Sequence, residues 1–201
     1  MYTPNENVVP YEGFVSREDR NKAYGHKSGV VWFTGLPASG KSTIAHTLEK
    51  VLFESGIKVY VLDGDNIRKG LNADLGFSPD ERSENLRRIS EVAKLFVDAG
   101  IILLAAFVSP YRKDREFIKE KIGKEYFIEV YIKCPVEVCE KRDIKGMYQK
   151  AKEGIIKDFT GVSAPYEEPE SPDLVIETDK LSIEEAVEKI LSHLREKEWI
   201  K

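Results

Sequence analysis

Short apolar runs alternate along the chain with longer stretches whose apolar residues recur at helical spacing. Residues 30–34, 58–63, 101–108, 127–133 and 174–177 read as strands. They lack the polar alternation of a half-exposed sheet, as strands covered on both faces do. Between them, Ile44, Leu48, Val51 and Leu52 share one helical face that stops before Gly56, and Leu86, Ile89, Val92, Ala93 and Phe96 share another that stops before Gly100. The second helix carries its own start signal in Ser78-Pro79-Asp80-Glu81: Ser78 caps, Pro79 occupies the first turn and Glu81 closes the capping box. Ser182-Ile183-Glu184-Glu185 starts a C-terminal helix in the same way, running towards Glu198. This alternation predicts an α/β fold of three layers, with a mainly parallel sheet and helices on both faces.

Two stretches break the rhythm. Residues 1–29 read as an irregular N-terminal arm before a single domain spanning 30–201. Residues 145–172, rich in Lys, Gly, Glu and Pro, form a connection whose length in a compact domain points to function or mobility. We read them as a lid over a nucleotide site.

Composition narrows the class. With 201 residues, 41% hydrophobic and 33% charged, the chain suits one soluble globular domain. Its longest apolar run, 101–108, is far short of the roughly 18 residues a membrane helix needs. The opening residues, with Pro4, Glu6 and Pro10, have neither the basic start nor the apolar stretch of a secretory signal, so a cytoplasmic protein without a membrane partner is expected. A net charge of −4 argues against neutralising a nucleic-acid backbone, so any phosphate binding must be local. Cys134 and Cys139, without further Cys or His nearby, suit buried thiols better than a zinc site or a disulfide scaffold.

Local phosphate binding has an evident seat. Gly35-Leu36-Pro37-Ala38-Ser39-Gly40-Lys41-Ser42 fits G-x-x-x-x-G-K-[ST] and lies between a strand and an amphipathic helix, the setting of a P-loop. In that loop the glycines let backbone N–H groups turn inward around phosphate oxygens, and the following helix N-terminus adds positive charge. Lys41 is placed to reach the β and γ phosphates and Ser42 to ligate Mg2+, so ATP and Mg2+ are the expected cofactors. A P-loop alone does not separate kinases from switches, motors and regulatory ATPases.

The second strand ends in Asp63-Gly64-Asp65-Asn66-Ile67-Arg68, at the carboxyl edge of the sheet where ligands bind. One carboxylate can hold Mg2+ or its water and the other can accept the proton of an attacking hydroxyl. Asp63 and Asp65 are both open to either role, and Asp63 also suits a cap on the next helix. The third strand brings Ser109-Pro110-Tyr111-Arg112 to the same edge. Arg82 and Asn85, three apart near the start of the capped helix, are neighbours on one face.

The runs GLPASGKSTIA, LDGDNIRKGLNADLGFSPDERSENLRRISEVAKLFVDAG, FVSPYRKDR and CEKRDIKGMYQKAKEGIIKDFTG together closely resemble the adenylylsulfate kinases, which phosphorylate the 3'-hydroxyl of adenylylsulfate (APS) to give PAPS. The resemblance implies a P-loop NTPase-type fold, a stand-alone kinase without a sulfurylase domain, and a homodimer. Residues 35–42 would hold ATP, and Asp63 would belong to the Mg2+ and γ-phosphate environment. The matching APS positions are Asp65, Asn66, Ile67, Arg68, Phe77, Arg82, Asn85, Val108, Ser109, Lys145, Phe159 and Thr160. That set makes chemical sense, since an aromatic face stacks on adenine while Arg and Lys meet phosphate and sulfate oxygens. Arg142 and the Glu177-Thr178-Asp179 turn would line the ATP adenine pocket.

Ser109 matches a serine described in the family as a phosphoserine intermediate. No base beside it in sequence explains how its hydroxyl would be activated. Direct in-line transfer, with Lys41 neutralising charge, Asp65 as the base and Ser109 as a positioning residue, suits P-loop chemistry better. Family members often read GLSGSGKST, and Pro37 and Ala38 here bear at most on loop stiffness. The rival readings are another small-molecule P-loop kinase, which would lack DGDNIR and LGFSP, and a regulatory ATP-binding protein without turnover.

Overall fold

The structure, a computed structural model, describes Val9, Tyr11 and residues 13–201. Five strands, β1 (Gly29–Thr34), β2 (Val59–Asp63), β3 (Ile102–Ala106), β4 (Phe127–Lys133) and β5 (Leu174–Glu177), form one parallel sheet in the order β2-β3-β1-β4-β5. Around it lie α1 (Arg17–Tyr24), α2 (Lys41–Glu54), α3 (Gly64–Ile67), α4 (Pro79–Asp98), α5 (Arg112–Ile122), α6 (Val136–Arg142), α7 (Met147–Lys152) and α8 (Ile183–Glu196).

The three expected layers follow from the period of two along each strand. Val31, Phe33, Leu104 and Ile128 face α2 and α8 and pack with Ile44, Leu48 and Ile190. Val30, Trp32, Leu103 and Ala105 face the opposite side and pack with Leu86 and Ile89 of α4 and Ile118 of α5. Both faces of β1 and β3 are therefore buried, which is why those strands read as unbroken apolar runs. β1 has β3 on one side and β4 on the other. Loops leaving its carboxyl end diverge there and open a crevice, the usual seat of ligands in such sheets.

The start signals read from sequence are realised in the backbone. The Ser78 and Ser182 side chains accept from Glu81 N and Glu185 N, and both boxes close through the glutamate side chains. The strand expected over 101–108 is shorter at both ends. The arm expected over 1–29 lies partly outside the described residues, and its described part is not irregular throughout, because α1 occupies Arg17–Tyr24. A Ser16–Asp19 capping box starts that helix, yet it buries no side chain, so it has no apolar stripe to betray it.

Residues 145–172 contain α7 and part of a third apolar cluster. Tyr148, Ala151 and Phe159 are buried with the free thiols Cys134 and Cys139, and Leu36 and Ala38 of the phosphate loop pack on them. The segment is thus seated on the P-loop itself. Among the described residues no helix is long and apolar enough to cross a membrane.

Candidate active site

Residues 35–40 turn sharply between β1 and α2. Gly35 has φ +153°, Ala38 +58° and Gly40 +105°. A Cβ on Gly35 would lie 2.4 Å from the carbonyl oxygen of Ile132 on β4, so the loop can approach the sheet edge only as glycine. Lys41, 7% exposed, donates from Nζ to the carbonyls of Gly35 (3.0 Å) and Leu36 (2.7 Å). Burial lowers its pKa to about 8. The back of the loop is held by Thr178, whose hydroxyl donates to Ser39 O at 2.8 Å and is itself gripped by Arg142, as is the Thr178 carbonyl.

The Ser42 hydroxyl donates to one oxygen of Asp63, and the other oxygen accepts from Asp65 N at 3.0 Å, capping α3. Asp63 therefore serves as a helix cap and faces the loop at once. A hydroxyl and a carboxylate in contact at the start of α2 are hard oxygens of the kind Mg2+ takes when phosphates supply the remaining positions. The residues present fit the ion.

Across the cleft, the Arg68 guanidinium lies 4.3 Å from the centre of the Phe77 ring and donates to Leu75 O (3.0 Å) and Gly76 O (2.8 Å). Arg82 lies 5.6 Å from the same ring and donates to Phe77 O (2.8 Å) and Asp158 O (2.7 Å). Burial lowers the pKa of both guanidiniums, and the Arg82 charge adds to the shift at Arg68. Their positive charge is fixed beside an exposed aromatic face, a favourable setting for a planar anionic ligand. Asn85 is buried, and its side-chain oxygen accepts from Asn72 at 2.9 Å. Asp65 pairs with Lys145, which raises the Lys145 pKa.

Ser109, 3% exposed and with φ +39°, accepts from Trp32 Nε1 at 3.1 Å and donates to Phe107 O at 3.3 Å. Its hydroxyl has no carboxylate or imidazole partner among the described residues.

One cleft of about 1200 Å³ joins these groups. Lys41, Ser42, Asp63, Asp65, Asn66, Arg68, Phe77, Arg82, Asn85, Val108, Ser109, Arg142, Lys145, Phe159 and Thr160 line it, with Pro37, Ala38 and Gly40 of the loop. Gly35, Leu36 and Ser39 do not line it, and Ile67 packs on the α4/α5 core. Reasoning from sequence missed Asn72, which holds Asn85, and the buried Arg115, which donates to Ser109 O at 2.7 Å. A signal for the latter existed in Glu129, a charged residue inside an apolar strand and the ion-pair partner of Arg115.

Comparison with known proteins agrees with this geometry. Residues 27–177 match the family model described as Adenylylsulphate kinase. The chain is 58% identical over 197 residues to the adenylyl-sulfate kinase of Thermodesulfovibrio yellowstonii, covering 98% of each chain. It is 45% identical to the Mycobacterium tuberculosis APS kinase CysC solved with AMPPNP and APS, at a TM-score of 0.80, covering 85% of this chain and 99% of that one. At 32% identity, a hexameric APS kinase from Thiobacillus denitrificans matches with a TM-score of 0.67 over 88% of this chain and 30% of that one. By sequence and by fold, the chain belongs to the adenylylsulphate kinase family.

Proposed function

We propose that this chain transfers the γ-phosphoryl of ATP to the 3'-hydroxyl of APS, giving PAPS and ADP. The observation that carries the reading is a single cleft that joins the P-loop to a pocket where Arg68 and Arg82 flank the ring of Phe77. Adenine stacks on that ring and the guanidiniums meet the phosphate and sulfate oxygens. Transfer forms a bond between the 3'-oxygen and phosphorus, breaks the bond from the γ-phosphorus to the bridging oxygen, and leaves the 3'-hydroxyl proton for a base.

Lys41 supplies a desolvated charge to the β and γ phosphates. Ser42 and Asp63 would hold Mg2+, which when bound would supply charge neutralisation at the phosphate oxygens. Asp65 takes the hydroxyl proton. For this Lys145 must leave Asp65, and the anionic groups of the substrate give its ammonium another partner, so arrival of APS frees the base. Residues 145–172 act as the lid over this chemistry, Arg142 and the 177–179 turn line the adenine pocket of ATP, and the chain works as a cytoplasmic homodimer.

The test is an assay of purified chain with ATP, Mg2+ and APS that resolves the products. PAPS and ADP formed one for one are expected. ATP binding without PAPS, or faster phosphorylation of a sugar acid or nucleoside monophosphate, would overturn the assignment.

Ser109→Ala separates direct transfer from a covalent route. The Ser109 hydroxyl is spent on Trp32 and Phe107 with no base at hand, so the variant is expected to keep about a tenth or more of wild-type turnover. The wild type is expected to invert a chiral γ-phosphorus once. A dead alanine variant with net retention would assign the phosphoryl group to Ser109.

A further inference from the structure

We infer that Arg115 is a positioning residue for APS, tying the Ser109 turn to the far end of the lid; the inference rests on the function proposed above.

Arg115 lies on α5, is 3% exposed, and does not line the cleft. Each nitrogen of its guanidinium has a different partner. Nε lies 3.0 Å from a Glu129 carboxylate oxygen on β4, Nη1 donates to Ser109 O at 2.7 Å, and Nη2 donates to Glu167 O at 2.6 Å. One rigid fork thus fixes a strand, the substrate turn and the segment that follows Phe159 and Thr160. Further bonds lay residues 166–168 onto the turn at 110–112. Glu167 N donates to Pro110 O at 2.9 Å, and the Glu167 carboxylate accepts from Arg112 N at 2.7 Å, at the start of α5, where no cap residue does so. Tyr166 reaches Thr34 through its hydroxyl at 2.9 Å.

A buried ion pair is often no more stabilising than well-packed apolar residues, so stability is a weak reason for this one. The geometry supplies a stronger one. Ser109 sits at φ +39°, a conformation non-glycine residues hold only when their surroundings over-determine it, and Arg115 grips the carbonyl of that residue. The P-loop is held separately, through Thr178, Arg142 and the bond from the Tyr148 hydroxyl to Pro37 O at 2.9 Å. Loosening Arg115 should therefore disturb the APS side of the cleft and leave the ATP side intact. A lysine keeps the charge but presents one point in place of a fork, and cannot serve all three partners.

The test compares Arg115→Lys, Glu129→Gln and Tyr166→Phe with wild type for kcat, KM of each substrate and hydrogen exchange over the lid. Arg115→Lys is expected to raise KM for APS about tenfold or more, as loss of a hydrogen bond from a charged group does. KM for ATP should stay within about twofold, and exchange over residues 157–168 should quicken even without substrate. Glu129→Gln keeps a polar oxygen beside Nε and should retain most of the APS affinity. If Arg115→Lys does not fold, Tyr166→Phe, which removes only the bond to Thr34, decides, with a rise in KM for APS of about threefold and faster lid exchange expected.

Unchanged KM for APS and unchanged exchange in the folded variants would overturn the inference. So would equal rises in both KM values alongside a lower melting temperature, the mark of a merely structural residue. Failure of the functional reading itself looks different, because wild type would then make no PAPS while the exchange measurement still reports on the tie.

Discussion

Lys41→Ala is expected to lower kcat/KM by on the order of a thousandfold while the chain stays folded. The Lys41 ammonium is buried against the loop carbonyls of Gly35 and Leu36, away from competing water, and the charges of Asp63 and Asp65 act on it. Charge in such a site acts on phosphate oxygens at low effective dielectric, where removing a single preorganised donor costs roughly 3 to 4 kcal/mol of barrier. Folding should not suffer. Burial disfavours the charged ammonium in the native state, so its removal relieves a penalty, and the melting temperature should stay within a few degrees of wild type. Turnover within tenfold of wild type would sink the P-loop assignment.

The same burial gives the residue a pH signature. With its pKa lowered to about 8, Lys41 of the free protein is an ammonium below that pH and loses its proton above it. Phosphate binds the ammonium form better and so raises the pKa in the complex. Affinity for ATP should fall as pH rises past about 8, by at most tenfold per pH unit, since binding must then recover a proton. Calorimetric titration between pH 7 and 9.5 checks this, with Lys41→Ala as the control expected to lack the slope.

What could be read in the sequence was local. The P-loop, the capping boxes at Ser78 and Ser182 and the five strands each depend on residues within a few positions of one another, and all stand in the structure. The pairings that finish the site span long stretches of chain, with 77 residues from Trp32 to Ser109, 80 from Asp65 to Lys145 and 52 from Arg115 to Glu167. Nothing in spacing reveals those partners.

Ser109 shows the division well. The lack of a neighbouring base was legible, whereas the indole that occupies its hydroxyl was not, because Trp32 reads in sequence as one more apolar residue of β1. Residues 145–172 show another side of the same limit. Their lysines and glycines hid the apolar cluster that Tyr148, Ala151 and Phe159 form beside Leu36 and Ala38 of the P-loop, since Tyr148 and Ala151 lie on the short α7 and Phe159 lies beyond its end.

Gly35→Ala is expected to abolish measurable nucleotide affinity, by more than about a hundredfold, and to cost a few kcal/mol of stability. Two independent faults add at this position. Its φ of +153° belongs to a region only glycine enters freely, a strain of about 1 to 3 kcal/mol for alanine. The new Cβ would also lie 2.4 Å from Ile132 O and 3.0 Å from Ser39 Oγ. Ile132 is fully buried on β4 and paired with Ile176 of β5, so the carbonyl cannot retreat without disturbing the sheet. The loop must swing outward, taking with it the N–H groups that cradle phosphate and the carbonyl that Lys41 holds. Gly25→Ala is the control, because Gly25 has φ +75° with nothing within 4 Å of the added atom and lies outside the cleft. It bears the backbone strain alone, and should lose about 1 kcal/mol of stability with activity retained. Denaturant unfolding together with calorimetric binding of ADP separates the two variants. ADP affinity within tenfold of wild type in Gly35→Ala would show that the loop tolerates the displacement and that its tight approach to β4 is not what shapes the phosphate cradle.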